Sequence, residues 1–195
     1  MHEYAQGGRI EVVTGSMFSG KTEELLRRLR RAEIAGQSVA VFTPAVDDRY
    51  GETVVGSHAG REWAATTVDG EGDGPWAALD HLDGEAVVAF DEANFFGEAL
   101  VDVVTRLADD GRRVVVSGLD RTYRGEPFEP VPALLAHADF VDKLRAVCVE
   151  CSEPATMTQR LVDGEPAHVD DPTVVVGGEE SYEARCRACH ELRTD

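Results

Sequence analysis

The residues best suited to chemistry lie near the N-terminus, where residues 15–22 read Gly-Ser-Met-Phe-Ser-Gly-Lys-Thr. The pattern G-x-x-x-x-G-K-[ST] is typical of a phosphate-binding loop, whose glycines let consecutive backbone N–H groups point at one phosphate chain. Lys21 is expected to reach the β- and γ-phosphates and the Thr22 hydroxyl to bind Mg²⁺. The alternative is a tight turn without a ligand. The candidate ATP-binding residues are Gly15, Ser16, Met17, Phe18, Ser19, Gly20, Lys21 and Thr22.

A second candidate group is the acidic pair Asp91-Glu92, which directly follows the apolar run of residues 85–90. An apolar strand that ends in Asp-Glu is typical of a Walker B element. Asp91 is expected to hold the water shell of Mg²⁺, and Glu92 to take a proton from a nucleophile. A solvated strand end is the alternative, and the phosphate-binding loop upstream favours the functional interpretation.

The four cysteines form two C-x-x-C pairs, Cys148 with Cys151 and Cys186 with Cys189. Four thiolates in this pattern predict a tetrahedral Zn²⁺ site with no open position, hence a structural site. The 34 residues between the pairs predict an inserted hairpin. Disulfides and a redox C-x-x-C are the alternatives. His190 is expected to be a surface residue.

The elements that must position these groups follow from hydrophobic periodicity, and strands alternating with helices predict an α/β fold with a mostly parallel sheet. A main domain at 1–147 and a zinc-binding appendage at 148–195 are expected. Strands are predicted at 9–14, 38–43, 62–68, 85–90, 113–117 and 142–149, helices at 22–35, 76–82, 98–109 and 132–138, and a loop without periodicity at 45–60.

Composition restricts the class of protein. The 195 residues carry a formal charge of −18, which would repel a phosphate backbone and makes nucleic acid an unexpected partner. The sequence suggests neither a transmembrane segment nor a signal peptide, so a cytoplasmic protein without a membrane partner is expected. The only lysines are Lys21 and Lys143. This acidic, lysine-poor composition is typical of salt-loving organisms; an acidic protein from a GC-rich genome is the alternative.

Taken together, these motifs resemble the cytosolic, zinc-containing family of thymidine kinases, from about residue 9 to residue 190. The resemblance implies a RecA-like ATP-binding domain and a small zinc-bearing domain whose lasso loop closes over the nucleoside. The matching segments, in order, are the loop at 15–22, Phe-Asp-Glu-Ala-Asn-Phe-Phe at 90–96, Gly-Leu-Asp at 118–120 followed by Pro127-Phe128, and Val176-Gly177-Gly178 with Tyr182 before Cys186.

The resemblance also implies roles for individual residues. Glu92 matches the general base toward the nucleoside 5′-hydroxyl, Asp91 the Mg²⁺ partner, Arg49 an arginine near the transferring phosphate, and Asp47 a contact of the ribose 3′-hydroxyl. For the side chains of the base pocket, ordinary core packing is the alternative. The residues matching the thymine site are Met17, Phe95, Leu119, Tyr123 and Phe128, with Val175, Gly177 and Tyr182 on the lasso.

Two positions depart from the family pattern. Ala93-Asn94 stands where Gly-Gln is common, and Tyr123 stands where Phe is usual. These departures affect the fit of the base more than the phosphoryl-transfer chemistry.

The implied reaction transfers the γ-phosphate of ATP to the 5′-hydroxyl of thymidine, and of deoxyuridine, for nucleotide salvage. The resemblance further implies feedback inhibition by dTTP and a homotetramer. The alternatives are a P-loop ATPase whose zinc element docks a macromolecular partner, and a noncatalytic nucleotide-binding module.

Overall fold

A parallel sheet forms the centre of the molecule in a computed structural model, which describes residues 7–45, 54–56, 62–173 and 182–194. Its six strands are ordered β5-β2-β6-β7-β1-β8, and every neighbouring pair is parallel. The predicted α/β class is therefore confirmed. These strands are β1 (Arg9–Thr14), β2 (Val39–Pro44), β5 (Thr66–Val68), β6 (Val87–Phe90), β7 (Arg113–Gly118) and β8 (Phe140–Lys143).

Helices cover both faces of the sheet, because successive residues of a strand point to opposite faces. Helix α1 packs its leucines against one face, and α2 and α3 pack against the other. Val87 and Ala89 of β6 accordingly face α1, whereas Val88 and Phe90 face α2. The helices are α1 (Lys21–Ile34), α2 (Ala99–Asp109) and α3 (Val131–His137), with 3₁₀ helices at Gly74–His81 and Ala93–Phe95.

The remaining strands form small antiparallel sheets. The strand order β12-β11-β13 confirms a hairpin between the two cysteine pairs, and β9 pairs with β10 beside the first pair. These strands are β3 (Val54–Gly56), β4 (Glu62–Ala64), β9 (Ala146–Val147), β10 (Pro154–Ala155), β11 (Met157–Val162), β12 (Glu165–Pro166) and β13 (Tyr182–Arg185).

Four local predictions were wrong. Residues 54–56 of the predicted loop form β3, which pairs antiparallel with β4. The predicted strand 62–68 divides at Ala65 because β4 joins this hairpin while β5 joins the central sheet. The predicted strand 142–149 divides after Lys143, where the Leu144 N–H donates to the carbonyl of Thr14 at 2.7 Å. The helix predicted at 76–82 is a 3₁₀ helix that begins at Gly74.

A buried ionic network ties β1 to its neighbours on the α1 face. The Glu11 side chain is buried and accepts hydrogen bonds from Arg113 at 2.7 and 2.8 Å, from Arg28 of α1 at 2.9 Å, and from Arg9 at 2.8 Å. Since β1 precedes the predicted phosphate-binding loop and α1 follows it, this network fixes both sides of that loop.

None of the helices in the described ranges combines the length and apolar character needed to cross a membrane.

Candidate active site and metal centre

Three loops with candidate functional residues meet at one edge of the sheet. Strands β6, β7 and β1 are adjacent and parallel, so the loops that follow them leave from the same edge. The Thr14 hydroxyl donates to the Gly118 carbonyl at 2.8 Å, which links the ends of β1 and β7. The Leu119 N–H donates to Asn94 Oδ1 at 2.8 Å, which links the loops after β7 and β6. Parallel pairing thus brings together motifs that lie far apart in the sequence.

The loop between β1 and α1 bends at two glycines with positive φ. Gly15 has φ 148° and Gly20 has φ 85°, and a Cβ atom at Gly15 would lie 2.6 Å from the Leu144 carbonyl oxygen. Both positions therefore require glycine. Lys21 Nζ donates to the Ser16 carbonyl at 3.0 Å, which holds the lysine against the loop.

The acidic pair Asp91-Glu92 directly follows β6. Asp91 is 5% exposed, and its Oδ1 accepts the Glu92 N–H at 3.0 Å. Glu92 has left-handed backbone angles, φ 51° and ψ 45°, which are uncommon for a residue other than glycine. Strained conformations of this kind concentrate at functional sites because the surrounding structure must hold them.

Several buried polar groups at this edge have no hydrogen-bond partner among the described residues. They are the hydroxyls of Ser16, Ser19 and Ser117 and the amide nitrogen of Asn94. Buried polar groups in proteins are almost always satisfied, so these groups fit a polar ligand. The Thr22 hydroxyl and the Asp91 carboxylate are oxygen donors of the kind that Mg²⁺ prefers, so the donor set also fits a Mg²⁺–nucleotide complex.

Apolar residues predicted to line a base pocket also lie at this edge. The rings of Phe95 and Phe128 meet edge to face, with their centroids 6.2 Å apart. Met17 and Leu119 are half-buried, and Tyr123 is buried. Tyr182 is buried at the start of β13. Four predicted site residues lie outside the described residues, namely Asp47, Arg49, Val175 and Gly177.

The four cysteines converge to form a candidate metal centre. Their sulfur atoms all lie within 4.8 Å of one another, and those of Cys151 and Cys186 are 3.6 Å apart. Tetrahedral Zn²⁺ with Zn–S bonds near 2.3 Å requires sulfur atoms about 3.8 Å apart, so the residues fit the ion. The cysteine cluster is confirmed, and in this arrangement it leaves no ligand position for a substrate.

The thiols of the cluster shift one another's pKa values. Burial raises the pKa of the Cys148 thiol, but backbone N–H groups of Cys186 and Cys151 bring the pKa to about 6. Hydrogen bonds with the thiols of Cys186 and Cys151 raise the pKa of Cys189 to about 12. Binding of a metal ion by this cluster would therefore release protons, because cysteine ligands must be deprotonated.

The decisive comparison is with protein families. The family described as thymidine kinase matches residues 8–190, which include the phosphate-binding loop, the acidic pair and all four cysteines. The chain belongs to the thymidine kinase family.

Individual relatives agree with this family assignment. Proteins named thymidine kinase from two strains of Halobacterium salinarum are 67% identical to this chain over 195 residues. The match spans 100% of this chain and 100% of each relative. A protein named thymidine kinase from Haloquadratum walsbyi is 59% identical to this chain, and the match spans 99% of each of the two proteins. These relatives fit the halophilic origin predicted from the composition.

Among solved structures, the flagellar accessory protein FlaH from Methanocaldococcus jannaschii is similar with a TM-score of 0.46 and 10% identity. The match covers 82% of this chain and 75% of that one. A similarity this weak supports no argument about function.

Sequence reasoning missed some contacts of this thymidine kinase family member. Thr158 of β11 accepts the Met17 N–H on its hydroxyl oxygen at 3.1 Å, which joins the cysteine-bearing region to the phosphate-binding loop. His190, expected at the surface, is half-buried, and its Nε2 lies 2.7 Å from the Tyr123 carbonyl oxygen. No local motif marks either residue, because both contacts join segments more than 60 residues apart.

Proposed function

We propose that this protein transfers the γ-phosphate of ATP to the 5′-hydroxyl of thymidine, giving dTMP and ADP for nucleotide salvage. The observation that carries the proposal is the meeting of the phosphate-binding loop, the Asp91-Glu92 pair and the Phe95–Phe128 pair at one sheet edge. A nucleoside kinase needs groups that bind the phosphates, a general base for the proton of the attacking hydroxyl, and side chains that contact the nucleobase.

The phosphate end of the site would hold ATP through the backbone of residues 15–20. Lys21 supplies positive charge against the charge that develops on the transferring phosphoryl group. Mg²⁺, when bound with ATP, neutralises phosphate charge, and Thr22 and Asp91 are the residues that would hold it. Arg49 is proposed to add a second positive charge beside the transferring group.

Glu92 is proposed to accept the proton of the 5′-hydroxyl as that oxygen attacks phosphorus. The hydrogen bond from its own N–H to Asp91 and the left-handed backbone fix where its side chain starts. Glu92 directly follows the buried Asp91, which is proposed as the Mg²⁺ partner, so the proton acceptor would lie close to the Mg²⁺-bound phosphates.

The base pocket is proposed to consist of Met17, Phe95, Leu119, Tyr123, Phe128 and the lasso residues Val175, Gly177 and Tyr182, while Asp47 binds the ribose 3′-hydroxyl. An enclosed pocket that pairs N3–H and O4 of thymine rejects cytosine, because polar groups would be left unmatched. Deoxyuridine lacks only a methyl group and is proposed as a second substrate.

The cysteine-bearing region is proposed to be a separate zinc domain, residues 148–195, attached to a kinase domain of residues 1–147. Zn²⁺ bound by Cys148, Cys151, Cys186 and Cys189 would fix the base of the lasso. Its contact with the kinase domain includes the hydrogen bond between Met17 and Thr158.

The proposal extends to a cytoplasmic homotetramer inhibited by dTTP, with no nucleic-acid partner. Self-association is supported by the edge strand β8, on which Phe140 is 51% exposed and Val141 47% exposed. Light scattering of the purified protein in high salt, with and without dTTP, measures the mass of the assembly.

The direct test incubates the protein with ATP, Mg²⁺ and a panel of deoxynucleosides in molar KCl and identifies the products by mass spectrometry. Thymidine and deoxyuridine should each be converted to the 5′-monophosphate, with one ADP formed per monophosphate. Purine nucleosides should give no monophosphate. ADP formation that is independent of any nucleoside would instead favour the macromolecule-docking ATPase.

The variant Glu92→Gln tests the assigned base. General-base catalysis contributes about 10²–10⁴-fold, so thymidine-dependent turnover should fall by that factor while ATP and thymidine affinities change little. Glu98→Gln, an exposed glutamate at the start of α2, is the matched control and should retain full turnover. Near-normal turnover of Glu92→Gln would remove this residue from the mechanism.

A further inference from the structure

Tyr123 is buried, and its hydroxyl is fully engaged by a segment that carries no regular secondary structure. Its Oη lies 2.8 Å from the carbonyl oxygen of His168 and 2.8 Å from that of Asp171. The side chain is 3% exposed. A phenol has one proton to donate, so these two carbonyls share it and are drawn toward one point.

Arg124, the next residue, binds the same segment with all three nitrogens of its guanidinium group. Nε donates to the Val169 carbonyl at 2.6 Å, Nη2 to the Asp171 carbonyl at 2.6 Å, and Nη1 to the Thr173 hydroxyl at 2.7 Å. Hydrogen bonds from a charged donor are about twice as strong as neutral ones. Residues 168–173 are therefore held by these side chains as well as by backbone hydrogen bonds, in which the Val169 N–H donates to the Arg193 carbonyl and the Asp171 N–H to the His168 carbonyl.

A second arginine completes the arrangement. The guanidinium carbon of Arg160 lies 5.5 Å from the centre of the Tyr123 ring, and that of Arg124 lies 5.0 Å from it, both within cation–π distance. Arg160 also donates to the carbonyl of Pro172. Tyr123, Arg124 and Arg160, called the Tyr123 clamp below, thus bind carbonyls along nearly the whole of residues 168–173.

The backbone carbonyl of Tyr123 also contacts the residue that follows the last cysteine of the cluster. Nε2 of His190, the residue after Cys189, lies 2.7 Å from the Tyr123 carbonyl oxygen. Because a carbonyl only accepts, this nitrogen carries the proton. The turn after β7, which holds Tyr123 and Arg124, thus contacts His190 on one side and residues 168–173 on the other.

We infer that the Tyr123 clamp fixes the position of residues 168–173, with the Tyr123 hydroxyl bound to protein carbonyls and not to the base. This inference rests on the proposed function, because residues 168–173 lead directly into the segment with Val175 and Gly177, where thymine is proposed to bind. The Tyr123 ring keeps its proposed place in the base pocket, and the hydroxyl acts by positioning residues 168–173.

The first experiment measures hydrogen exchange in the ligand-free protein, a readout that does not depend on the proposed reaction. Tyr123→Phe removes only the hydroxyl, and Thr173→Val removes only the acceptor of Arg124 Nη1. A hydrogen bond contributes about 0.5–1.5 kcal/mol net, so each variant should speed exchange within residues 168–173 by about two- to tenfold. Thr105→Val, which removes a hydroxyl bonded to Val101 on α2, should leave that exchange unchanged.

The second experiment measures steady-state kinetics of the same variants in molar KCl. Tyr123→Phe and Thr173→Val should each raise KM for thymidine by about two- to tenfold while kcat and KM for ATP stay within about twofold, because only the segment's position changes. Thr105→Val should match the wild type in all three constants.

Two outcomes would overturn the inference. Unchanged exchange in residues 168–173 of both variants would mean that the clamp does not hold them. A thymidine KM raised by Tyr123→Phe but not by Thr173→Val would mean that the hydroxyl contacts the base directly. If the wild-type protein does not phosphorylate thymidine at all, the proposed function fails, while the exchange result still decides whether the clamp holds the segment.

Discussion

Replacing Glu11 by glutamine tests how strongly the ionic network on β1 stabilises the fold. Burial raises the pKa of Glu11, but hydrogen bonds from Arg113 and Arg9 and the charges of Arg113 and Arg28 lower it from 4.5 to about 2. Each pKa unit corresponds to about 1.4 kcal/mol, so the ionised carboxylate stabilises the folded protein by about 3 kcal/mol at pH 7.

The pH dependence of this contribution has a definite sign. The pKa is lower in the folded than in the unfolded chain, so the unfolded chain binds a proton first as the solution is acidified. The stabilisation is therefore complete above pH 4.5 and is lost as the pH falls toward 2. Glu11→Gln lacks this dependence, while every other carboxylate stays the same in both proteins.

The assay is urea unfolding of the wild type and of Glu11→Gln in molar KCl, at intervals from pH 7 down to the lowest pH at which both proteins remain folded. The variant should be about 3 kcal/mol less stable at pH 7, and the difference should narrow below pH 4.5. Glu23→Gln, on the exposed side of α1, is the control and should be neutral. A constant difference at every pH would refute the reasoning.

Three further predictions concern the metal, the salt and the phosphate-binding loop. Metal analysis should find one Zn²⁺ per chain, and the double variant Cys151→Ser/Cys189→Ser should contain none. Calorimetry should show that the affinity of this variant for thymidine falls more than its affinity for ATP. The thermal midpoint of the wild type should rise with KCl, because salt screens repulsion within a chain of formal charge −18, and a flat or falling midpoint would contradict this. Gly15→Ala should weaken ATP binding by about tenfold or more, because a Cβ atom there would lie 2.6 Å from the Leu144 carbonyl oxygen; calorimetry showing unchanged affinity would contradict it.

The parts of the fold that sequence reasoning predicted are those with a local signal. The leucines of α1 recur at helical spacing, and β1 and β7 are continuous apolar runs, so their positions were predicted to within a residue or two. The cysteine cluster was predicted for the same reason, since the spacing of the two pairs indicates a metal. The roles of Glu92 and the phosphate-binding loop stay predictions, although the fold brings these residues to one edge.

The parts that could not be predicted depend on partners distant in the sequence. Strand β3 exists because it pairs with β4, and its three residues carry no independent signal. Tyr123 was expected from the resemblance to line the base pocket, and nothing local indicates that its hydroxyl bonds to residues 168 and 171. Arg160 likewise gains its role only when β11 is folded beside the turn that holds Tyr123.

The hydrogen bond from the Met17 N–H to Thr158 has a thermodynamic consequence. It joins the phosphate-binding loop to β11, whose partner β13 leads directly to Cys186. Equilibrium coupling between two binding sites is reciprocal. If loss of the metal lowers the affinity for nucleotide by some factor, bound nucleotide must therefore tighten the hold on the metal by that same factor. In a cell where zinc is scarce, the concentration of ATP would then help to set the fraction of the protein that keeps its metal.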